Sequence, residues 1–143
     1  MVKRGLYDSV DLGKPYSIVK VGFEFWPVAR QKLESTFYTF GEEIAEGVRS
    51  ERMELFLVNG KSWAITEIMR GMLFIWCYAG TGSGEFVERM RLVARANGLT
   101  QVSFFSRHKG AARLWKRFNP RVIPTSNPTG EPGEVQYVFE VTP

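Results

Sequence analysis

The chain has 143 residues, of which 44% are hydrophobic and 24% charged, and its formal net charge is +4. This length supports one well-buried core, so we expect a single domain over residues 1–143. The single cysteine, Cys77, excludes a disulfide within the chain, and no apolar stretch reaches the roughly 20 residues of a membrane span. No apolar signal segment follows Met1, so we expect a cytoplasmic protein with no membrane partner.

The first half of the chain predicts a strand, helices and then a hairpin. Residues 16–22 alternate as a short strand, and apolar residues recur at helical spacing over residues 24–49. Gly41 and Gly47 interrupt that pattern, which indicates one broken helix or two short ones. Residues 53–58 and 62–69 are strand-like on either side of Asn59-Gly60, the strongest short hairpin signal.

A third strand follows and leads into a glycine run. Arg70-Gly71 turns the chain into residues 72–78, whose nearly continuous apolar character predicts a central strand buried on both faces. Gly80-Thr81-Gly82-Ser83-Gly84 comes next, and an amphipathic helix is predicted over residues 85–97. Its apolar face carries Phe86, Met90, Val93 and Ala94, and its arginines, which we expect on the other faces, are Arg89, Arg91 and Arg95.

The last third of the chain returns to the sheet. Residues 99–106 are strand-like, and the strand–helix–strand order predicts a parallel crossover. A second helix with a basic stripe is predicted over residues 109–118, a strand begins near residue 121, and residues 134–141 alternate as a closing strand. We therefore predict an α+β fold with a mixed sheet.

The glycine run is the strongest functional signal. Between a strand and a helix, glycines leave backbone N–H groups facing one point and let a ligand approach closely, which suits a phosphate group. Residues 79–121 hold nine basic and two acidic residues, a balance that also favours an anion. A flexible turn without a ligand is the alternative, as is a pair of solvated basic helix faces.

The order of elements over residues 24–141 resembles the GNAT N-acetyltransferases. In that family the loop usually has the pattern R-G-x-G-x-G, and the three glycines match here while Ala79 stands in the arginine place. A second family pattern, N-x-x-A-x-x-L-Y-x-x-x-G-F, is partly matched from His108 onward. Ala111 and Leu114 match, whereas Trp115 takes the tyrosine place and Asn119-Pro120 replaces Gly-Phe.

The resemblance implies acetyl-coenzyme A as co-substrate and an amine on a small molecule or a protein as acceptor. It implies that Gly80, Thr81, Gly82, Ser83 and Gly84 hold the pyrophosphate on backbone N–H groups. It also implies that the backbone of Trp76, Cys77 and Tyr78 pairs with the pantetheine arm, and that Arg113, Lys116 or Lys109 meets the 3′-phosphate.

Catalysis by such a fold needs a base for the amine and preferably an acid for the departing thiolate. Glu67 is the candidate base, because it interrupts an apolar strand on the face that carries Trp63 and Ile65. In many GNAT enzymes the acid is the tyrosine of the second pattern, but Trp115 takes that place here and cannot donate a proton to sulfur. Tyr78 is therefore the candidate acid, and Cys77 is the alternative. The alternative for each of these residues is a structural place in its strand.

The departures from the family patterns leave other functions open. The chain is similar to short, divergent GNAT-like proteins of bacteriophages, which implies the alternative of an inactive virion or assembly component that has lost coenzyme A. Aromatic residues between positions 23 and 40 would then form a docking face instead of core. Nucleic-acid binding through the basic stripe of residues 109–121 is a third hypothesis, although we do not expect it.

Overall fold

The computed structural model describes residues 16–37, 40–106, 121–124 and 135–140. These residues form seven strands, three α-helices and two short 3₁₀ turns at Phe23–Phe25 and Glu34–Thr36. The helices are α1 (Trp26–Leu33), α2 (Gly41–Arg49) and α3 (Ser83–Ala96). The strands are β1 (Ile18–Val21), β2 (Glu54–Val58), β3 (Ser62–Met69), β4 (Met72–Ala79), β5 (Gln101–Ser106), β6 (Arg121–Pro124) and β7 (Val135–Glu140).

All seven strands belong to one mixed sheet with the order β1-β2-β3-β4-β5-β7-β6. Strands β1 to β4 are antiparallel neighbours, and β4 and β5 are parallel because α3 carries the chain back between them. The remaining pairs, β5 with β7 and β7 with β6, are antiparallel. The predicted α+β fold, mixed sheet and parallel crossover are therefore confirmed.

Two turns confirm the predicted meander. Asn59 and Gly60 both have positive φ, 53° and 70°, as do Arg70 and Gly71, 48° and 77°. Positive φ at both central residues gives a turn whose twist matches that of the adjoining strands. The two turns therefore set β2, β3 and β4 side by side.

The sheet has a core on each face. Helix α3 covers one face, where Phe86, Met90 and Val93 pack on strand residues such as Phe56 and Leu73. Helices α1 and α2 cover the other face, where the buried residues are Trp26, Ala29, Leu33, Phe37, Ile44, Val48, Met53, Leu55, Trp63, Ile65 and Cys77. We call these the α3 face and the α1/α2 face of the sheet.

The helix boundaries differ slightly from the sequence predictions. Residues 24–49 form two short helices, α1 and α2, one of the two predicted outcomes. Helix α3 begins at Ser83, two residues earlier than predicted, and the Leu99 N–H bonds to the Ala94 carbonyl beyond it (2.9 Å). Gly98 has a φ of 71°, so the predicted glycine end of this helix is confirmed. The predicted helix over residues 109–118 lies outside the described residues.

One predicted position in α3 is wrong. Arg89 was expected on a polar face of the helix, but it is only 4% exposed. It stands three residues after Phe86, so it lies on the buried side of the helix, and its guanidinium is 4.9 Å from the centroid of the Tyr16 ring. An aromatic ring over the cation offsets part of the cost of removing Arg89 from water.

In the part of the chain that the structure describes, the helices are too short or too polar to cross a bilayer. The same residues contain no group of three or more histidine, cysteine or acidic side chains placed to bind a metal ion.

Candidate functional site

The glycine run joins β4 to α3 in a sharp turn. Gly80 has a φ of 121° and Gly82 a φ of 79°, and Gly82 is the residue that caps the start of α3. A β-carbon on Gly80 would lie 2.2 Å from the Ser62 Oγ and 3.0 Å from the Ser62 Cα. Gly80 is therefore required both by its backbone conformation and by the close approach of β3.

The start of α3 leaves backbone donors directed out of the helix. The first helical hydrogen bond runs from the Phe86 N–H to the Gly82 carbonyl at 3.0 Å. The N–H groups of Ser83, Gly84 and Glu85 precede it and have no carbonyl within the helix to bind. Gly82 has no side chain to cap them, so this end of the helix offers several donors and a partial positive charge to an anion.

Two hydroxyl groups hold the loop against the sheet. The Tyr78 hydroxyl donates a hydrogen bond to the Thr81 carbonyl, and the Ser62 Oγ donates to the same carbonyl at 3.2 Å. Ser62 is almost fully buried, at 1% exposure. The loop is thus fixed at its second residue to both β3 and β4.

Strands β4 and β5 separate beside this loop. Their parallel pairing runs only from Met72–Gln101 to Phe74–Ser103. Beyond it, β5 continues to pair with β7 on its other side, as far as Ser106. The backbone of β4 after Phe74, including the predicted residues Trp76, Cys77 and Tyr78, therefore has no pairing with β5 in the described residues. We call this unpaired stretch the strand opening, and it runs on into the glycine loop.

A β-bulge in β4 determines where its last side chains point. Ile65 pairs with Cys77 and Thr66 with Ile75, so Trp76 is an extra residue in β4. Leu73 and Ile75 belong to the α3 face, whereas Trp76 and Cys77 both pack on the α1/α2 face, and Tyr78 returns to the α3 face. Regular alternation would have placed Cys77 and Tyr78 on the reverse faces.

Glu67 lies on the α1/α2 face, as predicted from its alternation with Trp63 and Ile65. Its Oε1 accepts a hydrogen bond from the Trp76 Nε1 at 3.0 Å, and its Oε2 is 3.7 Å from the Nε of Arg52. The Glu67 side chain is 12% exposed and that of Arg52 48% exposed. The carboxylate is therefore mostly buried, held in place by an indole, and reached from solvent past an arginine.

Aromatic rings surround the Trp76 side of this carboxylate. The Trp76 ring makes edge contacts with Phe74, at 5.0 Å between ring centroids, and with Phe40, at 5.7 Å. These contacts restrict the indole to one orientation, since aromatic pairs favour edge-to-face geometry. The direction of the hydrogen bond to Glu67 is fixed as a result.

The two other predicted side chains are not ionised at neutral pH. Burial raises the pKa of the Cys77 thiol to about 12, with an opposing contribution from a hydrogen bond to Thr36. Burial also raises the pKa of Tyr78; the Glu85 carboxylate acts in the same direction and the Ser62 hydroxyl in the opposite one. Cys77 is thus a protonated core residue, and Tyr78 is a hydroxyl donor.

The structure does not bring the two predicted catalytic residues together. Tyr78 packs on the α3 face, against Phe86, while Glu67 and Trp76 lie on the α1/α2 face. The acid role of Tyr78 remains a prediction, and its hydroxyl has the Thr81 carbonyl as partner. Arg113, Lys109, Lys116, His108 and Trp115 lie outside the described residues.

Sequence reasoning missed Ser62 and Arg52. Ser62 opens a strand after a hairpin, where serine is ordinary, and Arg52 precedes a strand with no motif around it. Their roles depend on contacts with Thr81, 19 residues away from Ser62, and with Glu67. The one signal in the sequence was Gly80 after β4, since a glycine allows another strand to approach closely.

Comparison with known proteins identifies the fold. No family model and no curated protein matches the sequence, whereas 38 solved chains match the structure. An IAA acetyltransferase from Bacillus cereus is 14% identical and covers 88% of this chain and 99% of its own, with a TM-score of 0.64. The ribosomal-protein-S18-alanine N-acetyltransferase of Escherichia coli, also 14% identical, covers 90% and 96%, with a TM-score of 0.62.

A third similar structure contains a ligand. An acetyltransferase from Bacillus subtilis, in complex with coenzyme A, is 11% identical and covers 90% of this chain and 100% of its own, with a TM-score of 0.61. Another match, from Staphylococcus aureus, is described as an acetyltransferase of the GNAT family (8% identity, TM-score 0.64). The chain therefore has a mixed α+β fold of the acetyltransferase type. That fold is the GNAT fold.

Proposed function

We propose that this protein is an acyl-coenzyme A-dependent N-acetyltransferase that transfers an acetyl group from acetyl-coenzyme A to an amine. One observation carries the proposal: β4 loses its pairing with β5 after Phe74, and this unpaired end of β4 runs directly into the glycine loop at the start of α3. A free strand edge and a cluster of N–H donors are what an amide-containing arm followed by a pyrophosphate requires. The similar structures support acyl transfer as the general class of reaction, and one of them is a complex with coenzyme A.

The glycine loop fits a pyrophosphate. The N–H groups of Ser83, Gly84 and Glu85 are available at the helix start, and Gly82 leaves the approach to them clear of a side chain. The backbone of Trp76 to Tyr78 would bind the amides of the pantetheine arm as a neighbouring strand does. Arg113 is the predicted partner of the 3′-phosphate.

Glu67 is the residue that would accept a proton from the acceptor amine. The bound co-substrate would supply an activated acetyl group as a thioester. The amine nitrogen forms the new amide bond as the carbon–sulfur bond breaks, and coenzyme A leaves as a thiolate that takes up the second proton lost by the nitrogen. Trp76 fixes one carboxylate oxygen of Glu67, and the other faces Arg52, at the more exposed side. An incoming ammonium group would replace Arg52 there and lose its proton to Glu67.

Thermal unfolding with and without acetyl-coenzyme A tests the proposal. A ligand at 100 times its Kd stabilises a protein by about 2.7 kcal/mol, so we expect the Tm to rise by several degrees. ATP is the matched control, because it carries adenine and phosphates but no pantetheine arm. An unchanged Tm at millimolar acetyl-coenzyme A would overturn the proposal, and an equal shift with ATP would argue against the role of the strand opening.

The alternative is an interaction or virion component that uses the fold without catalysis. The exposed apolar side chains Phe23, Phe25 and Val28, at 38%, 43% and 55% exposure, favour it, since they cluster at the start of α1. Isolation in a stoichiometric complex, with no response to acetyl-coenzyme A, would support this function. Turnover abolished by Glu67→Gln would exclude it. For either function we propose the cytoplasm as the compartment, where a free thiol such as Cys77 stays reduced.

A further inference from the structure

We propose that Tyr78 and Ser62 are positioning residues that set the direction of the Gly82 N–H toward the coenzyme's pyrophosphate. This inference rests on the proposed function and extends it to residues of the sheet. Both hydroxyls donate to one oxygen, the Thr81 carbonyl. Two donors from two different strands fix the orientation of that carbonyl more firmly than one could.

The direction of the Thr81 carbonyl determines the direction of the Gly82 N–H. The two groups belong to the same peptide unit, and the described residues contain no cis peptide bond. In a planar trans peptide the C=O and N–H bonds point to opposite sides. Because the carbonyl points at Tyr78 and Ser62, the Gly82 N–H points away from them, on the exposed side of the loop.

The bulge at Trp76 places Tyr78 where it can act in this way. By shifting the alternation of β4, it turns Tyr78 onto the α3 face, where its ring lies 5.1 Å from the ring of Phe86 in the first turn of α3. The Tyr78 ring therefore contacts the helix while its hydroxyl contacts the loop. Gly80 lets β3 approach closely enough for Ser62 to reach the same carbonyl.

The ionisation state of Tyr78 agrees with a donor role. Burial raises the pKa of its phenol, so the hydroxyl keeps its proton at neutral pH and can donate to a carbonyl. A proton committed to the Thr81 carbonyl is not directed at the opposite face of the sheet, where Glu67 lies. The geometry thus assigns Tyr78 to coenzyme binding and leaves deprotonation of the amine to Glu67.

Binding of coenzyme A and of pantetheine to Tyr78→Phe tests the inference. Phenylalanine keeps the ring against Phe86 and removes only the hydroxyl. Loss of one hydrogen bond predicts a Kd for coenzyme A about three- to tenfold higher than that of the wild type. Pantetheine has no phosphate, so its binding, measured by calorimetry at millimolar concentration, is expected to be unchanged.

Tyr16→Phe is the matched control. Tyr16 is a neighbouring tyrosine on the α3 face, and its buried hydroxyl has no hydrogen-bond partner among the described residues. We expect wild-type affinity for both ligands. Ser62→Ala removes the second donor without altering the Tyr78 ring, and it carries the test if Tyr78→Phe fails to fold. We expect Ser62→Ala to raise the Kd for coenzyme A in the same range as Tyr78→Phe.

The outcomes separate this inference from the proposed function. If Tyr78→Phe and Ser62→Ala both bind coenzyme A as tightly as the wild-type protein does, the inference is overturned and the proposed function stays intact. If the variants bind coenzyme A and pantetheine more weakly by the same factor, the inference is also overturned, because the hydroxyls would then support the strand edge instead of the glycine loop. A wild-type protein that binds neither ligand would overturn the proposed function and this inference with it.

Discussion

The Nε1 of Trp76 donates a hydrogen bond to the Oε1 of Glu67 at 3.0 Å, from β4 to its neighbour β3. Trp76 is the extra residue of the bulge, and Glu67 pairs with Phe74, two positions before it. Trp76 is therefore a diagonal neighbour of Glu67 on one face of the sheet, and its indole reaches a carboxylate that is mostly buried. The bulge then turns Tyr78 onto the face opposite this candidate base.

Replacing Glu67 with glutamine is expected to reduce turnover by about 10²-fold or more, since a general base contributes roughly that much. The amide oxygen can still accept the Trp76 hydrogen bond, and the partly exposed pair with Arg52 contributes little to stability. The Tm and the binding of acetyl-coenzyme A should therefore stay close to those of the wild type. Release of the coenzyme A thiol, with an amine that supports turnover, measures the effect.

The control for that variant is Glu88→Gln, an exposed position on α3. This substitution also removes one negative charge, but at a site that is not on the α1/α2 face, so we expect wild-type turnover. Full activity in Glu67→Gln would contradict the assignment of the base.

Replacing Trp76 with phenylalanine should lower kcat about tenfold without changing the affinity for acetyl-coenzyme A. The smaller ring keeps aromatic contacts but has no N–H, so Glu67 loses a hydrogen bond of about 1 kcal/mol and its fixed orientation. Binding depends on the backbone of Trp76, which the substitution retains. Initial rates and calorimetry measure the two effects separately.

Trp26→Phe serves as the control for Trp76. Trp26 stacks between Phe23 and Phe37 on the same face of the sheet, at centroid distances of 5.9 and 5.7 Å. Its replacement is expected to lower the Tm but not kcat. If both tryptophan variants lost activity equally, the effect would be one of packing, against our prediction.

Replacing Gly80 with alanine is expected to destabilise the protein by at least about 2 kcal/mol, because a strained backbone conformation adds to a steric clash. The new β-carbon would lie 2.2 Å from the Ser62 Oγ at a φ of 121°. Gly98→Ala is the comparison: its φ is also positive, 71°, but no heavy atom lies within 4 Å. We expect it to cost about 1 kcal/mol in urea unfolding. Equal costs at the two sites would refute the close approach of β3.

The stability of the protein should decrease at high pH through Cys77. Its pKa rises from 9.0 to about 12 on folding, so between these values the unfolded thiol loses its proton while the folded thiol keeps it. The unfolded state then binds fewer protons, and the free energy of unfolding falls by up to about 1.4 kcal/mol per pH unit. Below pH 9 this contribution is constant.

Urea unfolding of the wild type and Cys77→Ala measures that slope. The pH range of 8 to 12 covers both pKa values of the thiol. The alanine variant is less stable at the start because it leaves a small cavity, but its stability should fall less steeply. Tyrosines titrate in both proteins, so the difference between the two slopes belongs to Cys77. Parallel curves would contradict the raised pKa of this thiol.

Local signals in the sequence predicted most of the fold. Asn59-Gly60 and Arg70-Gly71 mark tight turns, whose central residues have positive φ. The helical spacing of apolar residues separates α3 from the strands beside it, in which apolar and polar residues tend to alternate. The alternation of β3 also placed Glu67 on the correct face. These features depend on residues close together in the chain, and such residues are enough to determine them.

The predicted position of Arg89 on a polar face of α3 was wrong, because packing against a distant residue buries it. A cation at the edge of an apolar helix face is normally assigned to solvent. Among the described residues, the ring of Tyr16, more than 70 residues earlier, offsets part of the cost of burying Arg89. The sequence contains no sign of that contact.

By itself, the sequence determined the order of the elements, the glycine turn into α3 and the candidate base, since each follows from backbone conformation or local periodicity. Only the tertiary structure decided the bulge at Trp76, because residues 72–78 are apolar on both faces and either register looks the same along the chain. The bulge is set by hydrogen bonds to β3, and it alone turns Cys77 onto the α1/α2 face and sends the Tyr78 hydroxyl to the glycine loop.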